Sequence, residues 1–106
     1  MKDTHKDNPL DFFLNEVRGR LGGHLKRVVL FGSRARGDET AQSDYDCLVI
    51  VDDASSRIID IVDEVAGDAL YRYSAVFSAF VVPERKLTQR IHGPFLINVS
   101  KEGINL

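Results

Sequence analysis

The sequence predicts a small α/β domain of the α+β type, with a mixed β-sheet and helices mainly on one face. Two observations support this fold class. Short continuous apolar runs, typical of buried strands, alternate with longer segments whose apolar residues recur at helical spacing. The chain has 106 residues, 43% of them hydrophobic and 28% charged, which suits one hydrophobic core and not two. We therefore expect a single domain over residues 8–106, preceded by a disordered polar N-terminus over residues 1–7.

Four segments are interpreted as helices. The first is expected to begin at Asn8, a favourable capping residue, and to end at the glycine pair 22–23. The second, over residues 58–70, has the broad apolar stripe of a helix that packs on a core. Two shorter helices are expected over residues 84–91 and from Gly93 onwards.

Three apolar runs are interpreted as strands of the main sheet. Residues 28–31 and 47–51 are short and continuously apolar, as expected of buried strands. Residues 73–82 form the third run, which Pro83 closes because proline cannot donate to a strand ladder. Residues 104–106 are long enough for a short additional strand at a sheet edge.

Composition excludes several classes of function. The net charge of −2, from 14 basic and 16 acidic residues, argues against a general nucleic-acid-binding protein, so no nucleic-acid partner is expected. The single cysteine, Cys47, excludes a disulfide framework or a cysteine-rich zinc site, and its place in an apolar strand indicates a small core residue. The polar N-terminus and the lack of a long apolar run predict a cytoplasmic protein with no membrane contact.

Two carboxylates stand one residue apart at the start of the second strand. Alternate residues of a strand point to the same face, so Asp44 and Asp46 should project together while Tyr45 and Cys47 face the other way. Adjacent like charges repel unless a cation neutralises them, and Mg²⁺ binds one or two carboxylates together with phosphate oxygens. Asp44 and Asp46 are therefore candidate metal ligands and catalytic residues. The alternative is an ordinary polar start of a strand.

A Gly-Ser turn follows the first strand directly. Glycine at position 32 lets backbone N–H groups approach a phosphate closely, and a helical turn over residues 33–36 would direct its N-terminus at the anion. Ser33, Arg34 and Arg36 add a hydroxyl and two guanidinium groups for charge-assisted hydrogen bonds. Gly32, Ser33, Arg34 and Arg36 are therefore candidate nucleotide-binding residues, with an ordinary turn as the alternative.

The two motifs together carry more information than either alone. Gly32-Ser33, ten intervening residues and Asp44-x-Asp46 resemble the signature of the polymerase-beta-type nucleotidyltransferase superfamily. The segment Gly-Ser-Arg-Ala-Arg-Gly-Asp resembles sequences of its minimal nucleotidyltransferase (MNT) branch. The resemblance covers residues 28–51. It implies a polymerase-beta-like fold, Mg²⁺ and a nucleoside triphosphate, with ATP favoured. The implied reaction transfers a nucleoside monophosphate to a hydroxyl and releases pyrophosphate.

The resemblance also implies a partner. Minimal nucleotidyltransferases are often paired with a small all-helical HEPN protein in a toxin–antitoxin system. By resemblance, the chain would act as the antitoxin and add AMP to a tyrosine of a HEPN-type protein. Transfer to a small molecule is less favoured, because relatives of that kind carry an additional acceptor-binding domain. A homodimer stays open, since no pattern in the sequence decides it.

The sequence departs from the superfamily in one respect. Members usually have a third acidic residue on the strand after the crossover helix, and residues 73–82 contain no carboxylate. Ser74 and Ser78 are expected on one face of that strand, and Glu84 follows it. This departure supports a second hypothesis, a catalytically weak or inactive binding module that neutralises a partner by occluding its surface.

Overall fold

The structure is a computed structural model that describes residues 8–37, 44–88 and 103–106. The predicted disorder of residues 1–7, the end of the helix expected over 84–91 and the helix expected from Gly93 lie outside these ranges. In chain order the elements are α1 (Asn8–Leu21), β1 (Leu25–Phe31), α2 (Ser33–Arg36), β2 (Tyr45–Val51), α3 (Ser56–Tyr73), β3 (Phe77–Pro83) and β4 (Ile104–Asn105). Short 3₁₀ helices at Gly22–His24 and Glu84–Thr88 follow α1 and β3.

The four described strands form one mixed sheet in the order β3-β2-β1-β4. β1 runs antiparallel to β2 and to β4, whereas β2 and β3 are parallel and are joined by the crossover helix α3. The end of β1 and the starts of β2 and β3 therefore meet at the same end of the sheet. Position 46 on β2 is flanked there by Phe31 on one side and Ser78 on the other.

The two faces of the sheet bury different sets of residues. Tyr45, Cys47 and Val49 of β2 join the buried residues of α1 and α3 in the main core. Leu48 and Ile50 point the other way, into a smaller cluster that contains no residue of α1 or α3. This alternation is the period-two geometry of a strand. It confirms the predicted fold class, a mixed sheet with its helices mainly on one face.

A stack of three aromatic rings links α1 to the sheet. Tyr45 and Phe77 are neighbours in the parallel register, and their ring centroids lie 4.5 Å apart at an interplanar angle of 8°. Phe13 of α1 continues the stack, with its centroid 4.4 Å from that of Phe77. All three side chains are buried. The stack therefore holds the starts of β2 and β3 against the first helix.

The largest difference from the sequence-based expectation is at the start of the third strand. Helix α3 continues to Tyr73, and Ser74 ends it in the left-handed region at φ 54°, with its backbone N–H donating to the Leu70 carbonyl at 2.9 Å. The expected strand over residues 73–82 therefore begins only at Phe77, and Ser74 is a helix cap rather than a strand residue. Residues 71–73 are compatible with either conformation, and the continuing hydrogen bonds of α3 decide between them.

The other expectations differ at element ends only. The helix beginning at Asn8 and ending before the glycine pair 22–23 is confirmed, as is the edge strand, which pairs with Val29 and Leu30 of β1. β1 begins at Leu25 and β2 at Tyr45, ahead of the apolar runs 28–31 and 47–51, because residues before these runs also join the ladder. Within the described ranges, none of the helices combines the length and the apolar character that a membrane span requires.

Replacing Phe13 by alanine should destabilise the fold strongly. The ring is fully buried and forms one end of the aromatic stack. A buried Phe→Ala change typically costs about 3–5 kcal/mol, so we expect a loss of that order in the free energy of unfolding measured by urea denaturation. Leu70→Ala, on the exposed side of α3, is the control and should change that free energy by less than about 0.5 kcal/mol. Equal effects of the two changes would contradict the importance of the stack.

Candidate functional site

The candidate residues meet at the end of the sheet where β1 ends and β2 begins. Phe31, the last residue of β1, pairs with Asp46, the second residue of β2. Gly32 follows Phe31 directly, and the helical turn α2 then runs from Ser33 to Arg36, as the sequence predicts. Asp44 immediately precedes β2 and is exposed. The structure thus brings the backbone of the Gly-Ser turn and the two aspartates to one end of one sheet.

The contact between Gly32 and Asp46 defines the site. Gly32 has φ +76°, a conformation that other residues rarely adopt. A Cβ atom on Gly32 would overlap the Oδ2 atom of Asp46 and lie 3.2 Å from its Cγ atom. The carboxylate therefore occupies the space beside the backbone that only glycine leaves. Because of this contact, a group bound to the turn would lie next to a carboxylate that is able to bind a metal.

Asp46 projects from the face of the sheet opposite α1 and α3. Its neighbours Tyr45 and Cys47 are buried in the helix-covered core, as the strand pattern predicts. Asp46 itself is half-buried and lies on the face of Leu48. The Asp46 carboxylate and the core side chains of Tyr45 and Cys47 therefore lie on opposite faces of the sheet.

The donor set fits a metal ion that binds together with a substrate. Within residues 8–37, 44–88 and 103–106, no three His, Cys, Asp or Glu side chains are grouped as a metal site. Two carboxylates are nevertheless what Mg²⁺ uses when phosphate oxygens complete its coordination. Asp46 packs directly against the backbone of Gly32, so a phosphate bound to this turn would lie next to its carboxylate. The residues present thus fit a Mg²⁺–phosphate complex better than a metal held by protein alone.

Arg34 has a contact that the sequence does not reveal. Its guanidinium carbon lies 3.8 Å from the centroid of the Tyr45 ring, which extends the aromatic stack by a cation–π contact. Tyr45 is buried on the helix-covered side of the sheet, so Arg34 lies on the opposite side of β2 from the Asp46 side chain. The contact anchors α2 to the core. No sequence spacing indicates it, because it depends on how the turn folds back over β2.

Ser74, Ser78 and Glu84 are the three residues considered in place of the missing third carboxylate. The structure places one of them at the site. Ser78 is the register partner of Asp46 on β3 and is half-buried. Ser74 is the cap of α3 and is not on the strand. Glu84 follows the far end of β3, where Pro83 pairs with Val51, about 17 Å along the strand from the Asp46 row. The parallel register of β2 and β3 decides which of the three residues lies beside Asp46, and a single sequence does not reveal this register.

Cys47 is confirmed as a core residue and has no catalytic character. Its side chain is fully buried. Burial, with a smaller contribution from the charge of Asp46, raises the pKa of the Cys47 thiol to about 12. The thiol therefore stays protonated at neutral pH, and only a thiolate would be a nucleophile or a metal ligand.

Gly32→Ala should be far more costly than Gly37→Ala. Both glycines have positive φ, +76° and +80°, but only a Cβ at position 32 meets a neighbouring atom within 4 Å. Each change should cost about 1 kcal/mol of backbone strain, and Gly32→Ala should cost more because the carboxylate must move. Urea denaturation gives both values.

A double-mutant cycle isolates the contact itself. In an Asp46→Ala background the carboxylate is gone, so the excess cost of Gly32→Ala over Gly37→Ala should disappear. An excess cost that persists in this background would show that the carboxylate is not what excludes a side chain at position 32.

Comparisons with known proteins agree with this geometry. The profile of the family described as "Nucleotidyltransferase domain" matches residues 10–100. Two relatives from Methanocaldococcus jannaschii are both named "Putative protein adenylyltransferase". One is 32% identical over 99 residues, covering 93% of this chain and 95% of its own length. The other is 31% identical over 102 residues, covering 93% of this chain and 69% of its own.

Two solved structures share the fold at low sequence identity. A toxin–antitoxin crystal structure with AMP-PNP aligns with a TM-score of 0.59 at 17% identity, over 88% of this chain and 68% of that one. A crystal structure described as "a putative nucleotidyltransferase from Sulfolobus solfataricus" aligns with a TM-score of 0.52 at 16% identity, over 93% of this chain and 86% of that one. The match over residues 10–100 and the two relatives above 30% identity show that this chain belongs to the nucleotidyltransferase domain family.

Proposed function

We propose that this nucleotidyltransferase transfers AMP from ATP to a hydroxyl group of a protein. The observation that carries the proposal is the packing of the Asp46 carboxylate against the Gly32 backbone, which puts the Gly-Ser turn next to a candidate metal ligand. The names of the two Methanocaldococcus relatives support a protein as the acceptor.

The proposed roles follow from position. Gly32 lets the turn approach the phosphates, and Ser33, Arg34 and Arg36 belong to the turn that binds them. Asp44 and Asp46 would hold Mg²⁺, which would neutralise the charge that develops on the triphosphate. Arg34 also positions the turn through its contact with Tyr45.

The reaction is an in-line displacement at the α-phosphorus. The acceptor oxygen forms a bond to the α-phosphorus, the bond from this phosphorus to the bridging oxygen of the β-phosphate breaks, and pyrophosphate leaves with that electron pair. The hydroxyl proton must pass to a base. The position beside Asp46 on β3 carries Ser78, which is not a base at neutral pH. Solvent or the acceptor protein therefore takes the proton in this proposal.

We further propose that the acceptor is a HEPN-type toxin and that this chain is its antitoxin, acting in the cytoplasm. The support is the motif resemblance and the fold shared with a toxin–antitoxin structure. A homodimer stays a prediction.

A second candidate function is neutralisation by occlusion, without transfer. The observation that favours it is Ser78 at the place on β3 next to Asp46, where no carboxylate is available. In that case nucleotide binding would be weak, and a partner would be neutralised by complex formation alone.

Asp44→Asn combined with Asp46→Asn should abolish transfer. The two amides keep the size of the side chains but remove the charges that bind Mg²⁺. The measurement is the intact mass of a HEPN-type protein from the same genome after incubation with the chain, Mg²⁺ and ATP. We expect an increase by one AMP with the native chain and none with the double variant.

The matched control is Asp52→Asn with Asp53→Asn, at the other end of β2. It should transfer AMP at the native rate. If the native chain leaves the partner's mass unchanged while both double variants still neutralise its activity, transfer is refuted and occlusion is favoured.

Ser78→Asp should accelerate transfer. An aspartate there would add a third carboxylate beside Asp46, and general-base assistance typically contributes about 10²–10⁴ in rate. We expect an increase of at least about tenfold in the rate constant of AMP transfer at saturating Mg²⁺ and ATP. Ser74→Asp is the control, because the exposed left-handed cap tolerates aspartate and is not on β3. An unchanged rate in Ser78→Asp would show that a third carboxylate does not limit the reaction.

A further inference from the structure

We infer that two phenylalanine rings next to Asp46, Phe31 and Phe80, form a stacking site for the base of the nucleoside triphosphate. The inference deepens the proposed function and rests on it. It concerns the face of the sheet opposite α1 and α3, where Asp46 projects near one end and Leu87 packs on the buried cluster around Leu48.

The two rings come from strands on either side of β2. Phe31 pairs with Asp46, and Phe80 pairs with Leu48, one row further along the same face. Their ring centroids lie 6.1 Å apart at an interplanar angle of 39°. Since β1 and β3 are separated by β2, about 9–10 Å in all, the rings lean towards each other across β2. Leu48 lies between them and is buried.

The Phe80 ring, on the edge strand β3, keeps part of its surface accessible. Its side chain is 47% exposed, whereas Leu48 and Ile50 on the same face are buried. This accessible surface is apolar area that a planar ligand can bury by stacking on the ring. The accessible ring lies beside a polar, metal-binding site rather than at a remote edge of the molecule.

The spacing matches the shape of a nucleotide. In the proposed function the phosphates lie beside Gly32 and Asp46, in the first row of the sheet. The Phe80 row is two residues further along, about 7 Å away. That separation leaves room for a sugar between the α-phosphate and a base that lies on the rings. Every base has a π-face, and stacking on an aromatic side chain stabilises it without hydrogen-bond recognition.

The test compares a ligand that has a base with one that does not. Binding of Mg²⁺–ATP and of Mg²⁺–tripolyphosphate is measured by titration calorimetry for the native chain and for Phe80→Ala. Loss of one base–aromatic stack should weaken ATP binding about tenfold and leave tripolyphosphate binding unchanged. Ile104→Ala, which changes a side chain of 45% exposure on the opposite edge strand, should change neither.

Phe80→Trp gives a second measurement. The native chain contains no tryptophan, so the new indole is the only one present. Its fluorescence should be quenched by Mg²⁺–ATP and not by Mg²⁺–tripolyphosphate.

Three outcomes would overturn the inference. One is equal weakening of both ligands by Phe80→Ala, another is no weakening of either, and the third is a Phe80→Trp signal that ATP leaves unchanged. Failure of the proposed function looks different. In that case Asp44→Asn with Asp46→Asn would leave Mg²⁺–tripolyphosphate binding unaffected, whatever Phe80→Ala does.

Discussion

The structure depends on the packing of one carboxylate against one backbone turn. Asp46 fills the space that a side chain at position 32 would need, so the register of β1 on β2, the positive φ of Gly32 and the start of α2 are coupled. A shift of one residue between β1 and β2 would carry Asp46 into the helix-covered core and a core residue to the open face. The same contact that excludes other residues at position 32 therefore also ensures that the turn and the candidate metal ligand Asp46 are adjacent.

A second set of contacts holds this arrangement from the other side of the sheet. The stack of Arg34, Tyr45, Phe77 and Phe13 connects α2, β2, β3 and α1. Because Tyr45 and Asp46 are consecutive, their side chains lie on opposite faces of β2. Tyr45 stabilises the fold on one face, and Asp46 is the candidate functional residue on the other. A residue such as Arg34, which motif reasoning assigns to phosphate binding, is at the same time part of the support of the site.

The parallel pairing of β2 and β3 decides what the site contains. It places Ser78 beside Asp46 and carries Glu84 to the far end of the sheet. It also brings Phe80 within reach of Phe31, so that two aromatic rings adjoin Asp46 and Ser78 on one face. The described part of the site therefore has two carboxylates, a hydroxyl and an apolar surface. These groups are better suited to holding a nucleotide than to removing a proton from an acceptor.

The sequence by itself determined the fold class, the edge strand and the grouping of Gly32 with Asp44 and Asp46, because these follow from local periodicity and from short motifs. It did not determine where α3 ends, since residues 71–73 suit a helix as well as a strand. Only the tertiary structure selected Ser78 over Ser74 and Glu84, stacked Arg34 on Tyr45 and paired Phe31 with Phe80. The physical reason is that strand register and cross-sheet contacts join residues distant in sequence, and local preferences carry no information about which of them meet.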